Sequence, residues 1–356
     1  MSTILSLMLV MLVPPVDRQT ESATATDLTG RAIVHLLCTI LRILVSLLAK
    51  SLRIGNLTVM ETIAELAQLI ECHAPVAGMT ETRIPRLSLF RADRPSAPTP
   101  SVYEASLCLI AQGSKRVSLG DEGLVYDASR YLLVSVDLPL VGHVIEASAE
   151  APYLCCKIDL DPSALAELMA SDGSAARPEQ PVLAVYPSDP DLIDAASRLV
   201  RLLDRPDSIQ VLAPLIEREI LYRLLTGPHG AMLRHLMSAG SRLNQVSRAI
   251  AAIRKGFDAQ LRIEEIAAAA GMSASSLHAH FKAVTRMTPI EYQKQLRLQE
   301  ARRLMLTGGA TAGSAGFAVG YESPSQFSRE YRRLFGVPPR QDVERVKNAP
   351  GYVEAV

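Results

Sequence analysis

The chain has 356 residues, more than one typical domain, and its 37 Lys and Arg balance its 37 Asp and Glu. This balance excludes a uniformly basic or acidic protein, but the charge is unevenly spread, since residues 245–349 hold sixteen Lys and Arg and nine Asp and Glu. That segment therefore carries +7 and the remainder −7, which predicts a basic C-terminal domain suited to phosphate contacts.

Residues 1–59 form the least coherent part of the sequence. Residues 1–13 are apolar but lack a basic leading region, and the apolar stretch 32–49 contains Arg42, which costs about 2.5–3.5 kcal/mol in a bilayer. We therefore predict an N-terminal extension that is absent from the working protein, with translation starting at Met60, where an amphipathic helix begins. The alternative is a membrane or interfacial anchor, although we expect no stable membrane association.

Residues 60–240 are predicted to form a regulatory domain. From Leu87 to Tyr186, short apolar runs alternate with turn residues, as is typical of an antiparallel barrel or sandwich. The expected strands are Ser106–Ala111, Arg116–Leu119, Gly123–Tyr126, Tyr131–Val136, His143–Ala147 and Tyr153–Asp159, with Asp137-Leu138-Pro139 as a separator.

The regulatory domain is expected to end in helices. From Pro190 to about Ser238 the apolar spacing is helical, which indicates either core packing or a dimer seam. The stripe consists of Leu199, Leu202, Leu203, Leu212, Leu215, Ile216, Ile220 and Leu224.

Residues 241–346 contain one pattern twice, a short helix, a glycine turn and a second helix capped by serine. The first copy consists of Ile263–Ala270, Gly271 and a helix from Ser273 to about Val284. The second consists of Ala315–Val319, Gly320 and a helix from Ser323 to about Phe335. Two helix-turn-helix units in one chain can read two successive stretches of major groove, which predicts sequence-specific DNA binding.

A connecting helix is predicted over Pro289–Leu306, ended by Gly308-Gly309. About eighteen residues at 1.5 Å each give a strut of roughly 27 Å. Such a strut suits two recognition helices about one turn of DNA apart, roughly 34 Å. The run Ala312-Gly313-Ser314-Ala315-Gly316 is poor helix material, so we expect the second unit to be looser than the first.

These residues resemble a known family, the AraC-type transcriptional regulators. The resemblance rests on Val319–Pro339 and, in the first unit, on Ile266-Ala267, Gly271-Met272-Ser273, Leu277, Phe281-Lys282, Thr288-Pro289 and Tyr292. The strand region resembles the cupin-like N-terminal domain of one branch of that family through Leu107–Val117, Tyr126-Asp127, Tyr131–Pro139 and Ala151–Leu154.

The resemblance covers about residues 80–345 and implies an α+β protein. Its N-terminal part is expected to be a cupin-like antiparallel β-barrel or sandwich with flanking helices. Its C-terminal part is expected to be all-α, with two helix-turn-helix units joined by a long helix, followed by a tail over residues 347–356. In related regulators an N-terminal domain of this kind senses a small molecule or a chemical signal.

The direction of the capped helices and the contact positions implied by the resemblance select candidates for DNA binding. They are Ser275, Ser276, His278, Ala279 and Lys282 in the first unit, and Pro324, Ser325, Ser328, Arg329, Arg332 and Arg333 in the second. Arg329 is the strongest candidate for a bidentate contact to guanine, and its alternative role is a structural salt bridge to a neighbouring Glu.

The remaining helix positions divide into phosphate and core candidates. Basic residues later on the two helices are expected to meet phosphates, namely Lys282, Arg286, Arg332 and Arg333. The opposite face is expected to be core, namely Leu277, Phe281, Phe327, Tyr331 and Phe335.

Catalytic chemistry is not indicated. A cupin metal centre needs several His and a carboxylate, whereas the strand region offers only His143. We predict no enzyme activity, no metal and no cofactor.

The five cysteines lack zinc-ligand spacing and fit a reducing cytoplasm. One interpretation makes Cys108 and Cys155 small core residues. A sharper hypothesis is that Cys108 or Cys156 is a reactive, accessible thiol, helped by a neighbouring cation. The cations that could help are Lys115, Arg116 and Lys157.

The sequence thus predicts a cytoplasmic transcription regulator that binds double-stranded operator DNA and responds to a signal at its N-terminal domain. Its expected partners are a small-molecule effector, a second copy of the chain and RNA polymerase. The alternative is a constitutive regulator whose N-terminal domain serves only protein interaction or dimerisation.

Overall fold

The computed structural model describes residues 61–170, 181–228, 230–238 and 240–348, all within one compact unit, Leu57–Val356. The predicted extension, its alternative as an anchor, the start at Met60 and Cys38 lie outside the described residues. The helix expected near Met60 is present over 61–73 and buries Leu66 and Ile70. In the described part of the chain, no helix is both long and apolar enough to cross a membrane.

Ten strands in the described residues form two antiparallel sheets. They are β1 (Gly78–Glu81), β2 (Leu87–Ala92), β3 (Thr99–Tyr103), β4 (Ser106–Gln112), β5 (Ser114–Leu119), β6 (Glu122–Asp127), β7 (Arg130–Val134), β8 (Leu138–Glu146), β9 (Tyr153–Asp159) and β10 (Leu183–Pro187). The six-stranded sheet has the order β1-β2-β9-β4-β7-β10, and the four-stranded sheet has the order β3-β8-β5-β6. This architecture confirms the expected sandwich.

Helices precede, interrupt and follow the sandwich. They are α1 (61–73), α2 (Pro162–Ala170), α3 (Pro190–Arg201), α4 (Ile209–Thr226), α5 (Gly230–Met237), α6 (Arg242–Lys255), α7 (Ile263–Ala270), α8 (Ala274–Thr285), α9 (Pro289–Thr307), α10 (Ala312–Ala318), α11 (Pro324–Phe335) and α12 (Pro339–Asn348). The expected helical C-terminal domain is therefore present.

The six-stranded sheet is buried on both faces, because helices cover one face and the smaller sheet covers the other. On β4, Leu107 and Leu109 join the cluster that includes α1, α3 and α4, whereas Cys108 and Ile110 join the cluster between the sheets. Successive side chains on a strand point to opposite faces, so a strand covered on both sides reads as a continuous apolar run. This continuous apolar run is the reason that β4 could be predicted from the sequence.

Each of the six predicted strands overlaps a strand of the structure, but one predicted separator is wrong and four strands were missed. Tyr153–Asp159 matches β9, but Leu138-Pro139 is the start of β8 and not a separator. Pro139 is tolerated because β8 pairs there with β3 alone, and β5 joins β8 only from Val141 onward. The half-exposed strands β1, β3 and β10 were not among the predicted strands, and neither was the buried β2.

The two helix-turn-helix units have separate cores. The first, α7 and α8 with α6, belongs to the same hydrophobic cluster as the interior of the sandwich. The second, α10 and α11, packs with α9 and α12 in a cluster of its own around Phe327 and Tyr331. The first helix-turn-helix unit, hereafter the first reader, therefore shares a hydrophobic core with the sandwich, whereas the second has its own core and only approaches β3 through α11.

Helix α10 begins at Ala312, three residues before the predicted start at Ala315. Thr311 caps it by accepting a hydrogen bond from the backbone N–H of Ser314 at 3.2 Å. The glycine content has a packing reason, since a Cβ on Gly316 would lie 3.0 Å from the Phe327 ring. The glycine-rich run thus forms a regular helix that lets α11 approach closely.

A buried ion pair holds α12 against α9 and α11. The Arg302 guanidinium donates to Asp342 at 2.7 Å, the Tyr331 hydroxyl donates to the same carboxylate at 2.8 Å, and the Arg302 and Asp342 side chains are 4% and 1% exposed. Arg302→Ala is expected to lower the free energy of unfolding by about 3–5 kcal/mol, because it removes the buried partner of the Asp342 carboxylate and leaves only the exposed Arg345, at 3.6 Å, as its counter-ion. Urea denaturation measures this loss.

The next residue provides a matched control. Arg303 pairs with Glu300 at 2.7 Å on the surface, so Arg303→Ala should cost less than about 1 kcal/mol. Equal losses for the two variants would contradict the structural role given to Arg302.

Candidate DNA-binding surface

Each recognition helix begins at a capping serine. The Ser273 hydroxyl accepts a hydrogen bond from the Ser276 N–H at 3.2 Å at the start of α8, and the Ser323 hydroxyl accepts one from the Gln326 N–H at 3.4 Å at the start of α11. Pro324 occupies the first helical position of α11, where its missing N–H costs nothing. The caps fix where each helix starts and so which side chains its first two turns present.

The turns before the two helices require glycine. Gly271 and Gly320 have φ of +68° and +85°, in the left-handed region that side chains disfavour. At Gly320 a Cβ would also lie 1.9 Å from the carbonyl oxygen of Asp258. The turn of the second unit is therefore packed directly against the loop that follows α6.

The predicted core and contact faces are separated in the structure. Leu277, Phe281, Phe327 and Tyr331 are 0% exposed, and Phe335 is half-buried. The exposed candidates are Ser275, His278, Ala279, Lys282, Pro324, Ser325, Ser328, Arg329, Arg332 and Arg333.

Ser276 differs from the other candidates because it is half-buried and part of the cap. The Ser273 hydroxyl, which accepts from the Ser276 N–H, also donates to the Ser276 hydroxyl at 3.0 Å. Ser276 thus takes part in helix capping, and contacts of all these candidates with DNA, Ser276 included, stay a prediction.

Three exposed arginines on α11 are available to a ligand. Arg329, Arg332 and Arg333 make no ion pair with any described residue, so the alternative role of Arg329 as a salt-bridge partner is not observed within that part of the chain. Its neighbour Glu330 instead accepts from Lys294 at 3.0 Å and from the Tyr321 hydroxyl at 2.8 Å. Burial opposes the charge of Glu330, but these two donors hold its carboxyl pKa below the usual value.

Sequence reasoning missed the structural role of Arg297 on the connecting helix α9. Its guanidinium donates to the carbonyl oxygens of Phe257 at 2.6 Å, Ala259 at 2.7 Å, Gly320 at 2.9 Å and Asp258 at 3.1 Å. It therefore holds three segments together, the strut, the loop after α6 and the turn of the second unit. No signal in the sequence marks this role, since all four acceptors are backbone atoms.

Other basic residues of the C-terminal domain face the sandwich. Arg254 pairs with Glu104 and Asp137, and Arg286 pairs with Glu122 on β6 at 2.7 Å. Burial opposes the charge of Arg254, yet the two carboxylates raise its pKa above the ordinary value. Arg286, a predicted phosphate contact with φ of 61°, is therefore bound to the regulatory domain in this structure.

The two candidate thiols lie on opposite faces of the six-stranded sheet. Cys156 packs against the helices, is 0% exposed, and burial raises its pKa, so it lacks both the access and the stabilised thiolate that the hypothesis requires. Cys108 is buried as well, so the predicted accessibility is wrong for both thiols, but Cys108 faces the smaller sheet near the buried Lys115. Of the other two cations, Arg116 is exposed and Lys157 pairs with Asp159. Among the described residues, no three His, Cys, Asp or Glu are grouped as metal ligands.

Comparison with known families assigns both halves of the chain. A family described as AraC-type transcriptional regulator N-terminus matches residues 83–232, and a family described as helix-turn-helix domain matches residues 266–345. The chain belongs to the AraC-type transcriptional regulators. The matched ranges fall on the sandwich with its helices and on the two helix-turn-helix units of this AraC-type regulator.

Individual relatives are distant. The chain is 26% identical over 144 residues to the HTH-type transcriptional regulator ArgR of Pseudomonas aeruginosa, covering 40% of this chain and 44% of that protein. It is 29% identical over 162 residues to the HTH-type transcriptional activator RhaS of Escherichia fergusonii, covering 44% and 57%. The AraC-type regulator thus spans about half the length of the curated relatives it matches.

A solved structure shares the overall fold. The apo form of a ToxT variant from Vibrio cholerae superposes with a TM-score of 0.54 at 12% identity, covering 73% of this chain and 97% of that one. At this identity the likeness shows the fold alone. It agrees with an AraC-type regulator in which a β-sandwich precedes two helix-turn-helix units.

Substitution of two glycines in this AraC-type regulator can distinguish the cost of backbone strain from the cost of close packing. Gly336 has φ of +80° with no atom within 4 Å of an added Cβ, so Gly336→Ala should cost only about 1–2 kcal/mol for the left-handed conformation. Gly320→Ala should cost about 2–5 kcal/mol, because its Cβ also displaces the Asp258 carbonyl. Thermal and urea unfolding compare the two, and equal costs would contradict the packing described at Gly320.

Proposed function

We propose that the chain is a transcription regulator that recognises operator DNA through both helix-turn-helix units and is modulated by a signal at its sandwich domain. The observation that carries the proposal is the pair of capped helices α8 and α11, whose outward faces expose polar and basic side chains above buried aromatic cores. Helices presented in this way fit the major groove of DNA. In this proposal the protein acts in the cytoplasm, is not an enzyme, and influences transcription by RNA polymerase.

A cleft between the sandwich and the first reader supports sensing over a purely constitutive role. It has a volume of about 770 Å³ and is lined by apolar residues of β6, β10 and α8 together with Arg130, Arg242 and Arg286. Pockets of this size, mostly apolar with a few polar groups, are typical of small-molecule sites. A small-molecule effector bound in this cleft would contact both the sandwich and α8. The alternative, an N-terminal domain that serves only protein interaction, requires no such cleft.

Direct reading of bases is expected to depend on Arg329. Arg329→Ala should weaken binding to the cognate operator by about 1–3 kcal/mol and relax preference at one base pair, as loss of a bidentate guanine contact does. Genome-wide occupancy of the native protein first identifies the operator, and binding assays at fixed salt then compare the variants.

Arg340 supplies the matched control, since it is exposed on α12, outside the recognition helices, and pairs with Glu344 at 3.0 Å. Arg340→Ala should leave sequence preference unchanged. Diffuse occupancy by the native protein, or equal preference in the Arg329 and Arg340 variants, would overturn the proposed reading mechanism.

Helix α4 carries an apolar stripe that fits a homodimer. Ile220 and Leu224 of the predicted stripe are core residues, but Leu212 and Leu215 are 41% and 61% exposed, and Tyr222 is 57% exposed. Residues 211, 215 and 222 fall on one side of a helix, so the exposed apolar side chains form one face. We therefore propose that α4 packs against α4 of a second copy.

This interface predicts a change in mass. Leu215→Glu should convert a dimer into a monomer in light scattering coupled to gel filtration, because an isologous interface would bury two unpaired carboxylates. The control is Val125→Glu, because Val125 is an exposed apolar residue on β6, outside α4. Leu203→Glu is not an equivalent control, because Leu203 is half-buried on another segment. A carboxylate native to α4, Glu219, is already in contact with Arg198 and Arg223. A native protein that is monomeric at all concentrations tested would overturn the dimer.

A further inference from the structure

The interior of the sandwich contains a group of polar side chains within an otherwise apolar core. Each of them is at most 5% exposed. This interior polar cluster consists of Tyr103, Cys108, Lys115, Tyr126, Tyr153 and Cys155. Buried polar groups are costly unless they are paired, so their concentration at one place calls for a chemical explanation.

Two thiols of the interior polar cluster are neighbours on adjacent strands. In the pairing of β4 with β9, Cys108 lies opposite Lys157 and Cys155 lies opposite Ile110. Residues two apart on a strand share a face, so Cys108 and Cys155 are diagonal neighbours that both point between the sheets. Cys156, one residue away, points to the other face and cannot replace Cys155.

A buried cation accompanies the thiols. The Lys115 ammonium nitrogen lies 5.1 Å from the centre of the Tyr103 ring and 5.5 Å from that of Phe90. Gly142 makes room for it, because a Cβ there would lie 2.1 Å from the Tyr103 hydroxyl oxygen and 3.3 Å from the Lys115 Cε. Burial opposes the charge of Lys115, but the neighbouring Tyr103, Cys155 and Cys108 keep its pKa above the ordinary value.

The pKa values of the two thiols are shifted in opposite directions by their surroundings. Interaction with the Cys155 thiol lowers the pKa of Cys108, burial opposes this, and Lys115 and Lys157 lower it further. The pKa of Cys155 is raised, by the same interaction first and by burial next. On the sheet, Cys108 lies opposite Lys157 whereas Cys155 lies opposite Ile110, so Cys108 is taken as the attacking thiol of the pair.

The interior polar cluster also has unused hydrogen-bonding capacity. The hydroxyl oxygens of Tyr126 and Tyr153 are buried close to each other and to the Cys155 thiol, but neither makes a hydrogen bond of regular geometry to a described residue. Unpaired buried hydroxyls of this kind can bind a small polar guest that reaches the interior when the sheets fluctuate. Such a guest must form hydrogen bonds and must enter the interior of the sandwich. A small uncharged oxidant can do both, because it needs little space and loses no hydration of a charge.

We propose that Cys108 and Cys155 form a redox pair that hydrogen peroxide converts into a disulfide inside the sandwich. The Cys108 thiolate attacks one peroxide oxygen, so an S–O bond forms, the O–O bond breaks, and the departing hydroxide takes a proton to leave as water. The Cys155 thiol then attacks the Cys108 sulfur, so the S–S bond forms and the S–O bond breaks with loss of a second water. Two thiols are oxidised by two electrons, and one peroxide is reduced to two waters.

Oxidation of these thiols is expected to affect the first helix-turn-helix unit, because both lie in one continuous hydrophobic core. The interior polar cluster lies in the hydrophobic cluster that continues into α6, α7 and α8. The disulfide removes the thiolate that faces Lys115 and draws β4 and β9 together, which leaves a buried ammonium with less compensation. The regulatory part of the proposal, which rests on the proposed function, is that this change lowers operator affinity at least about fivefold, a typical allosteric coupling.

The experiment treats the full-length protein with hydrogen peroxide and maps its cysteines by mass spectrometry without reduction. We expect a Cys108–Cys155 disulfide in the native protein and in the controls Cys156→Ser and Cys72→Ser, the latter removing an exposed thiol. Cys155→Ser should stop at a sulfenic acid on Cys108, trapped by dimedone, and Cys108→Ser should leave Cys155 reduced. Lys115→Met should slow the reaction at neutral pH, because it removes a buried cation that lowers the pKa of Cys108.

The outcomes separate the parts of the proposal. Oxidation at Cys72 alone, or a disulfide that needs Cys156, would overturn the redox pair. A Cys108–Cys155 disulfide that leaves operator affinity unchanged would overturn the regulatory part. A reduced protein that binds no operator would overturn the proposed function, and the cysteine map would still decide the redox pair.

Discussion

The relative placement of the two readers depends on one arginine in the middle of the connecting helix. Arg297 donates to four backbone carbonyls, which belong to the loop after α6 and to the turn that opens the second unit. Gln293, one turn earlier on α9, donates to two of the same carbonyls, at 2.9 and 2.7 Å. A helix alone fixes only a distance, whereas these bonds also fix the rotation of the second unit about the strut. Because a guanidinium presents five donors in a rigid plane, lysine would not reproduce this arrangement.

The sandwich and the first reader meet through both charge and apolar contact. Arg254 at the end of α6 binds Glu104 and Asp137, the Tyr292 hydroxyl on α9 donates to the Asp137 carbonyl at 3.4 Å, and the Gln299 side chain accepts from the Val102 N–H at 2.9 Å. On the sandwich side of these contacts, Val102 lies on β3, Glu104 lies directly after β3, and Asp137 lies between β7 and β8. Any displacement of those strands is therefore transmitted to α6 and α9 without an intervening flexible segment.

The sequence predicted well whatever a local rule controls. Ser273 and Ser323 cap their helices as expected, and Ile263–Ala270 has the predicted bounds, because capping and glycine turns are encoded by neighbouring residues. The ion pair of Arg286 with Glu122 was not predicted, because it depends on tertiary packing between segments that are far apart in the sequence. Cys155 was treated as an ordinary core residue because nothing in the sequence places it beside Cys108, on the sheet face away from Cys156.

The separate core of the second helix-turn-helix unit has a consequence for how this protein can change over evolution. Phe327, Tyr331 and their neighbours share no hydrophobic cluster with the sandwich, although α11 also approaches β3, so substitutions in this core leave the packing of the sandwich interior unchanged. The first unit has no such freedom, because Leu277 and Phe281 belong to the same core as the sheets. If the proposed function holds, new DNA preferences should therefore accumulate first in α11, and exchange of α10 to α12 should be tolerated better than exchange of α7 and α8.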